Sequence, residues 1–506
     1  MKRPPKRRVR DTAQRSLFSS APSEERGRGG RGDPRFVAMD RSKLFVGDEP
    51  LDVYLARSGK SEVLELARLI EQIDVEPFRA RYQGTGRAPH HPHAILGLLA
   101  YGADKGLSSL RELENLAIVD VGAWWLCAGH QPDHSALGRF LKLHEDLLQD
   151  PMFVEATKIV VKATGAPTTG SVAMDGTTVQ AASSTFRTRT AERLASDLME
   201  ARSAAETDGD DTNRALVEKL ERATEFAEER VKARREHGKG GTVRVSPDEP
   251  EAVNQPLKNG LHRPSFKPTL ATSANGFIVG QTVVPSHEGS ALPALIDQST
   301  SCLGHAPQRL LLDAGFHSGA VLKLCFERDI DVLCPSEREP KSDDKLFKKQ
   351  LFVYDDDDDT YSCPAGETLR RESTRSETRG GRVVVYACRA ARTCALRDRC
   401  TRSPDRRRIK RYENEDLKQA MAAIMRDKRA QAAYAKRSPI AETPFAQIKR
   451  NQGLERFRRR GLSGARLELS IHCFAFNMAK GARLMAALVL LRVDGELAFA
   501  TLVLAR

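Results

Sequence analysis

Three acidic residues have the types and settings that a metal-dependent phosphoryl-transfer site needs. Asp175 and Asp313 each end a short apolar run that predicts a strand, and small residues follow both, in DGT and DAG. The ends of adjacent strands lie side by side, so two such carboxylates could share a cation. Hard oxygen ligands of this kind suit divalent metal ions about 4 Å apart. Taken singly, each aspartate is equally well explained as the cap of the turn that follows it.

Glu442 is the third acidic residue, and its surroundings are strongly basic. Residues 436–460 contain eight Lys or Arg side chains and two acids, Glu442 and Glu455. A single carboxylate in such a stretch is either a salt-bridge partner or a metal ligand held against a polyanion. The two strand-end carboxylates upstream favour the metal ligand, in a set formed by Asp175, Asp313 and Glu442.

The basic residues themselves predict a polyanionic partner. The chain has 81 Lys and Arg residues against 68 Asp and Glu residues, with a net charge of +13 and a pI near 9.3. Nucleic acid is the commonest partner of such proteins, and we expect double-stranded DNA. The run RFRRRG at residues 456–461, with Arg458 and Arg459, is expected to contact phosphates. A plain solvent-exposed charged face is the alternative for this run.

The elements that must position these residues change in type along the chain. Residues 41–160 predict a helical DNA-binding domain, with Ser108 or Ser109 and Asp133 as helix N-caps. Helices are expected at 63–73, 93–102, 109–129 and 134–150. Residues 168–485 then predict a strand with Asp175, a hairpin with a type I′ turn at Asn275-Gly276, a helix, a strand with Asp313, a helix, a strand and late helices. That order is typical of a ribonuclease H-like core, which predicts an α/β (α+β) fold.

Two insertions and two tails complete the predicted organisation. Residues 187–240 predict a charged helical hairpin, and residues 355–412 predict a Cys-rich β insertion. Residues 1–40 predict a disordered basic tail, and residues 486–506 a C-terminal tail. Neither a membrane span nor a secretion signal is expected, so the protein is predicted to be cytoplasmic. No phosphate-cradling loop or dinucleotide fingerprint supports the use of a nucleotide cofactor.

The segments that carry the three acids resemble those of a known family. VAMDGTTVQAASS, LLDAGFHS and residues 434–449 are similar to three blocks of the DDE transposases of bacterial insertion sequences, in the branch named after insertion sequence eleven-eighty-two. GRAPHHPHAILGLLAYG and HQPDHSALGRF resemble the N-terminal helical domain of those proteins. The resemblance covers about residues 40–485. It implies that Asp175, Asp313 and Glu442 bind Mg²⁺ (or Mn²⁺), and that a homodimer or larger synaptic assembly acts on DNA.

The related signature consists of Tyr, Arg, Glu and Lys, which here implies DNA contacts by Tyr434, Arg437, Lys449 and the adjacent Arg450. One residue more than in the signature separates Arg437 from Glu442, so Lys436 is a possible substitute for Arg437. Glu442 and Lys449 are seven residues apart and would share a helix face.

Proline leaves two starts open for the helix that carries this signature. If Ser438-Pro439 begins the helix, Pro444 lies inside it and should kink it. If Thr443-Pro444 begins it, Glu442 lies just before the helix.

Four cysteines in the Cys-rich insertion could form a second metal site. Cys363, Cys388, Cys394 and Cys400 have 24, five and five residues between them, and four thiolates suit a structural Zn²⁺ ion. The related transposases carry a similar Cys-Pro…Cys…Cys…Cys-Thr segment. A set of half-buried thiols in a β-rich insertion is the alternative.

Together these features predict a transposase that binds the terminal inverted repeats of its insertion sequence, cleaves DNA at the ends and joins them to target DNA. Two alternatives stay open at this point. One is a catalytically silent or repurposed DNA-binding protein, and the other is a nuclease without strand transfer.

Overall fold

The computed structural model describes residues 36–82, 87–208, 210–236, 241–257, 260–336, 346–376 and 382–493. The predicted basic tail at residues 1–40 therefore lies almost wholly outside the described residues, and so does the end of the predicted C-terminal tail. No helix in the described ranges has both the length and the apolar character needed to cross a bilayer.

The N-terminal region is helical, as the sequence predicts. Its elements are β1 Phe45–Val46, β2 Glu49–Pro50, α1 Leu51–Arg57, α2 Ser61–Ile70, α3 Glu76–Arg79, α4 Pro92–Asp104, α5 Leu110–Val119, α6 Val121–Leu126, α7 His134–Leu143, α8 Glu145–Leu148 and α9 Asp150–Thr164. The apolar faces of these helices form one core, which also takes in residues of the last helix of the chain.

Side-chain caps set several of these helix boundaries. Ser109 and Glu112 form a reciprocal capping box, and Asp133 accepts a hydrogen bond from the Ala136 N–H at 2.6 Å, so both predicted caps are confirmed. The single helix predicted over 109–129 is wrong. It is divided because Asp120 ends α5 and caps α6 through the Gly122 and Ala123 N–H groups.

The helix predicted over 134–150 is also divided. α7 ends at Leu143, the single turn α8 follows, and α9 begins at Asp150 with Pro151 in its first turn. Proline is favoured there because the first N–H groups of a helix have no partner within the helix.

A mixed sheet forms the centre of the molecule. Its part of the chain contains β3 Ser171–Gly176, β4 Val179–Gln180, β5 Arg189–Thr190, α10 Ala191–Thr207, α11 Asp211–Glu236, β6 Arg244–Val245, β7 Val253–Pro256, β8 His262–Ser273, β9 Ile278–Val284, α12 Leu292–Leu303, β10 Arg309–Leu312, α13 Gly319–Glu327 and β11 Asp331–Leu333. Across the sheet the strands follow the order β9-β8-β3-β10-β11. β8 is antiparallel to both its neighbours, whereas β3, β10 and β11 are mutually parallel. The predicted ribonuclease H-like arrangement is confirmed.

The turn between β8 and β9 differs from the prediction. Gly276 has a φ of +73°, but Asn275 does not have a positive φ, which a type I′ turn would require. Instead the Gly276 N–H bonds to the Ser273 carbonyl at 2.8 Å. The loop therefore has one residue more than a two-residue hairpin, and glycine alone supplies the left-handed conformation.

Two insertions leave the central sheet. α10 and α11 form the predicted helical hairpin, with a small apolar core of their own that includes Leu194, Leu220 and Val245. The Cys-rich region is a five-stranded antiparallel sheet, as predicted, around Tyr361, Leu369 and other apolar side chains. Its elements are β12 Val353–Asp355, β13 Thr360–Ser362, β14 Thr368–Ser376, β15 Arg382–Cys388, α14 Arg397–Cys400 and β16 Arg408–Tyr412.

The chain then becomes helical, with α15 Glu415–Ile424, α16 Lys428–Tyr434, α17 Arg437–Arg450 and α18 Gly461–Val493. α18 packs against both the N-terminal helices and the sheet. Its buried Asn477 donates to the Thr157 hydroxyl on α9 at 3.0 Å and to the Ile278 carbonyl on β9 at 2.7 Å. The predicted boundary at residue 485 falls inside this helix, and the division into domains stays a prediction.

Candidate active site

The register of two parallel strands brings Asp175 and Asp313 together. Leu312 of β10 pairs with Met174 of β3, so the next residue on each strand is an aspartate. Neighbouring strands lie about 4.8 Å apart, which fixes the two carboxylates on one edge of the sheet. Asp313 also accepts a hydrogen bond from the Gly315 N–H at 2.7 Å. It therefore caps the following turn as well, and the two explanations offered for it do not exclude each other.

Arg437 lies between these two carboxylates. Its Nη2 donates to Asp175 Oδ1 at 3.0 Å and to the Met174 carbonyl at 3.2 Å, and it is 3.8 Å from Asp313 Oδ2. Lys436, the possible substitute, is exposed to solvent. The extra residue before Glu442 therefore does not remove Arg437 from the site.

The charge of Asp175 is costly in this position. Burial raises the pKa of its carboxyl group to about 6, since a charged group loses hydration there. The Arg437 guanidinium opposes this rise, whereas the nearby carboxylates of Asp313 and Glu288 add to it. This edge of the sheet has an excess of negative charge that further positive charge would relieve.

Glu288 is a site residue that sequence reasoning missed. It is buried in a short 3₁₀ turn between β9 and α12, and it forms an ion pair with Lys267 of β8. A Cβ added to Gly176 would lie 2.7 Å from Glu288 Cδ, and one added to Gly315 would lie 3.5 Å from its Oε2. The small residues after the two aspartates thus make room for Glu288. Its own segment, HEGSAL, ends no apolar run that could have signalled this place.

Helix α17 packs on the sheet beside the two aspartates. Ala441, Phe445 and Ile448 form its buried face, and Pro444 lies inside the helix. The structure therefore favours the start at Ser438-Pro439, although the helix begins two residues before Pro439, at Arg437. The Thr443 hydroxyl donates to the Pro439 carbonyl at 2.7 Å, alongside the position where Pro444 lacks an N–H.

Glu442 lies off the buried face of α17. It is about 100° around the helix from Ala441, and it is exposed. Its Oε1 accepts a hydrogen bond from the Ser438 hydroxyl at 2.6 Å. Within the described residues it forms no hydrogen bond or ion pair with either aspartate. The structure therefore brings Asp175, Asp313 and Arg437 together and leaves Glu442 outside that group.

Lys449 reaches the chain just after Asp175. Its Nζ donates to the Thr177 hydroxyl at 2.6 Å and to the Thr178 carbonyl at 3.1 Å. Tyr434 is half-buried and packs beside Ala441. Burial raises the pKa of its hydroxyl, and the carboxylates of the site add to that rise.

The remaining predicted DNA contacts differ in accessibility. Arg450 is exposed, and Arg458 is exposed with its Nη1 at 3.6 Å from Glu112 Oε2. Arg459 is half-buried, and burial lowers the pKa of its guanidinium. The backbone N–H groups of Arg458 and Arg459 both donate to Glu468 Oε2 of α18, and these bonds fix the backbone of the arginine run.

Two family models match the chain. The Transposase domain (DUF772) matches residues 55–143, and the Transposase DDE domain matches residues 362–482, a segment that contains Glu442 and Lys449. The two matches indicate a DDE transposase. No curated protein matches it. The branch within the family stays a prediction.

DDE transposases are metal-dependent enzymes that act on DNA, and DNA is the partner of this transposase. The matched segments do not include Asp175 or Asp313, so the sheet register is an independent indication for these two residues. Among the described residues, no three His, Cys, Asp or Glu side chains are grouped closely enough to hold one metal ion. The paired aspartates fit a cation in charge and ligand type, but the structure does not bring Glu442, the predicted third ligand, beside them.

The four predicted cysteines of the transposase line one cavity in the Cys-rich sheet. Cys363 Sγ accepts a hydrogen bond from the Ala365 N–H at 3.4 Å, and Cys388 accepts one from the Ala390 backbone. Gly366 follows in a left-handed turn with a φ of +80°. Four thiols suit a structural Zn²⁺ site in number and ligand type. Among the described residues, however, no three of these sulfur atoms lie close enough together to share one ion.

Proposed function

We propose that this transposase binds the terminal inverted repeats of its insertion sequence, cleaves DNA at those ends and joins the ends to target DNA. The observation that supports the proposal most directly is the pair of strand-end carboxylates, Asp175 and Asp313, with a guanidinium between them. Such a pair attracts a divalent cation without any change in the backbone.

Asp175, Asp313 and Glu442 are the residues that would hold Mg²⁺ or Mn²⁺. The bound metal would supply an activated water or 3′-hydroxyl and stabilise the leaving oxygen. Glu442 has to leave Ser438 to join the aspartates, and that step breaks one hydrogen bond of an exposed side chain. A helix side chain that completes the site late would couple catalysis to correctly bound DNA.

Arg437 and Lys449 would then contact the DNA backbone. Arg437 pairs with Asp175 and lies 3.8 Å from Asp313, and a cation held by these carboxylates would leave its guanidinium available to a phosphate. Lys449 is held beside the Asp175 strand end by Thr177 and Thr178, which orients its ammonium group toward the same edge. Arg450 at the end of α17 and Arg458 in the segment after it extend this surface, and Tyr434 at the end of α16 lies on the other side of Arg437 in the chain.

Two DNA ends must be held together for joining, so the functional unit is a homodimer or a larger synaptic assembly. Cleavage of one end by each subunit would require that both carry an intact aspartate pair. Mixed assemblies of wild-type and Asp175→Asn subunits should therefore leave one end uncut.

The decisive experiment uses full-length protein, Mg²⁺ and duplexes that carry the terminal inverted repeat. We expect cleavage at the repeat end and, after addition of a target plasmid, a joined product. Cleavage without any joined product would indicate a nuclease. Specific binding without cleavage would indicate a silent DNA-binding protein, and an absence of binding would refute the proposal.

The Cys-rich sheet would hold a structural Zn²⁺ ion through Cys363, Cys388, Cys394 and Cys400. The cavity that these thiols share supports this assignment. We expect about one zinc per chain in elemental analysis of purified protein, and loss of that zinc in Cys363→Ser/Cys388→Ser. The buried Cys473 provides the control, since Cys473→Ser removes a thiol far from the cavity. Protein without zinc after purification under reducing, chelator-free conditions would refute it.

A further inference from the structure

Phe186 is the most exposed of the large apolar side chains that the structure describes, with 90% of its surface in solvent. Leaving a phenylalanine ring in water forgoes about 2 kcal/mol of burial. The ring belongs to a short 3₁₀ turn, Thr185–Arg187, that follows β4. An exposed aromatic ring beside the strand that continues from Asp175 suggests a contact with a ligand.

Hydrogen bonds fix the backbone of the turn that carries Phe186. The Phe186 N–H donates to the Ser184 hydroxyl at 3.3 Å, and the Thr188 hydroxyl donates to the Thr185 carbonyl at 2.8 Å. Arg263 Nη1 of the adjoining β8 region donates to the Thr185 hydroxyl at 3.1 Å. These bonds fix the backbone on the sheet, so the ring is presented outward by a defined turn.

Several arginines lie in this turn or contact residues close to it. Arg187 and Arg460 lie 3.6 Å and 3.9 Å from the two carboxylate oxygens of Asp248, and their side chains are 67% and 64% exposed. Arg189 Nη1 donates to the Phe186 carbonyl at 3.5 Å, and Arg456 Nε donates to the Ala181 carbonyl at 3.1 Å. Lys219 also pairs with Asp248, so this one carboxylate, whose side chain is 8% exposed, faces three basic side chains and the surface has a net positive charge.

This combination favours DNA over a protein partner. The centre of a protein interface is depleted in charge and contains several apolar groups, whereas Phe186 stands alone among arginines. Proteins that deform DNA insert single apolar side chains between base steps, while adjacent basic residues bind the phosphates.

We propose that Phe186 inserts into the base stack of the bound DNA, with Arg187 and Arg460 on the flanking phosphates. The inference rests on the proposed function, since it concerns the DNA that the transposase acts on. It adds a site of DNA deformation separate from the site of cleavage.

Strand β8 gives the distance between the two sites. Leu270 of β8 pairs with Asp175, and Arg263, seven residues earlier, touches the Phe186 turn. At about 3.3 Å per residue the turn lies roughly 23 Å from the aspartates, the length of about seven base pairs. The inserted ring is thus expected about seven base pairs from the scissile phosphate.

The test uses full-length protein and terminal-repeat duplexes with a single mismatch at each of the positions nearest the cut. A mismatch lowers the cost of unstacking, so wild type should bind about tenfold more tightly when it lies at the inserted step. Phe186→Ala should lose that preference and keep the salt dependence of binding, because the phosphate contacts remain. Phe186→Trp should retain the preference. Phe326→Ala is the matched control, since Phe326 is 75% exposed on α13.

The same duplexes with 2-aminopurine at the preferred step should change fluorescence with wild type and not with Phe186→Ala. An unchanged mismatch profile in Phe186→Ala would overturn the proposal while leaving the transposase function intact. A variant that binds DNA normally but self-associates less would assign Phe186 to a subunit interface and also overturn it. If wild type binds no terminal-repeat DNA, the proposed function fails as well.

Discussion

Asp175 and Asp313 stand at strand ends whose pairing fixes their separation, whereas Glu442 stands on the exposed side of a helix and bonds to its neighbour Ser438. The backbone hydrogen bonds of the sheet position the two aspartates, and Arg437 forms ion pairs with both of them. The position of the Glu442 carboxylate depends on its side-chain rotamer and on the hydrogen bond from the Ser438 hydroxyl. The strand side of the site is therefore preorganised, and the helix side is left adjustable. Such a division lets a metal-dependent site stay incomplete until substrate is bound.

The largest effect should come from the strand side. Asp175→Asn or Asp313→Asn removes a charged oxygen ligand and should lower DNA cleavage by at least about 1000-fold, since metal ions stabilise transition-state charge by several kcal/mol. Binding of terminal-repeat DNA should change little. Cleavage and gel-shift assays on the same preparations separate the two effects. Near-normal cleavage by either variant would remove the aspartate pair from the active site.

Glu442→Gln should have the next largest effect, a loss of about 100-fold in cleavage. Thermal stability should not change, because the side chain is exposed and its hydrogen bond joins it to Ser438 of the same helix. Glu455→Gln is the matched control, since Glu455 is an exposed acid in the same basic segment.

A normal rate in Glu442→Gln would assign the third acidic ligand elsewhere. Glu288 is then the nearest alternative, and Glu288→Gln would be the variant to assay.

Arg437→Ala tests how the two sides communicate. It should weaken cleavage by about tenfold, the value of one charged hydrogen bond. It should also tighten Mn²⁺ binding to the DNA-free protein, because a cation no longer competes with the guanidinium for the two carboxylates. Mn²⁺ titration followed by electron paramagnetic resonance measures this directly. Lys436→Ala, on the exposed neighbouring residue, should leave Mn²⁺ affinity unchanged, and equal behaviour of the two variants would contradict the assigned position of Arg437.

The same contrast explains what could be predicted from sequence. The two aspartates were predictable because an apolar run followed by Asp and a small residue marks a strand end, and the alternation of elements implied that β3 and β10 are neighbours. Arg437 was left doubtful by its spacing, since linear spacing does not reveal that Ala441, not Glu442, faces the sheet. Glu288 was missed because its place depends on a long-range approach to Gly176 and Gly315. The turn at Asn275 and the break at Asp120 were decided by local hydrogen bonds that alternative conformations of the same residues could have replaced.

The smallest effect concerns the stability of the metal-free protein. Because burial raises the pKa of Asp175 from 3.8 to about 6, the folded state binds this proton more tightly than the unfolded state. Asp175 therefore favours folding at low pH, and this contribution, about 3 kcal/mol at most, is lost as pH rises from about 4 to about 6. Asp175→Asn carries no such charge, so its Tm in a chelating buffer should gain on that of wild type across this range and then stay level. Glu442→Gln is the control variant, because this side chain is exposed and bonds to Ser438 on the outer side of α17. An equal gain in Tm with pH in both variants would mean that the buried, charged carboxylate of Asp175 does not destabilise the folded protein.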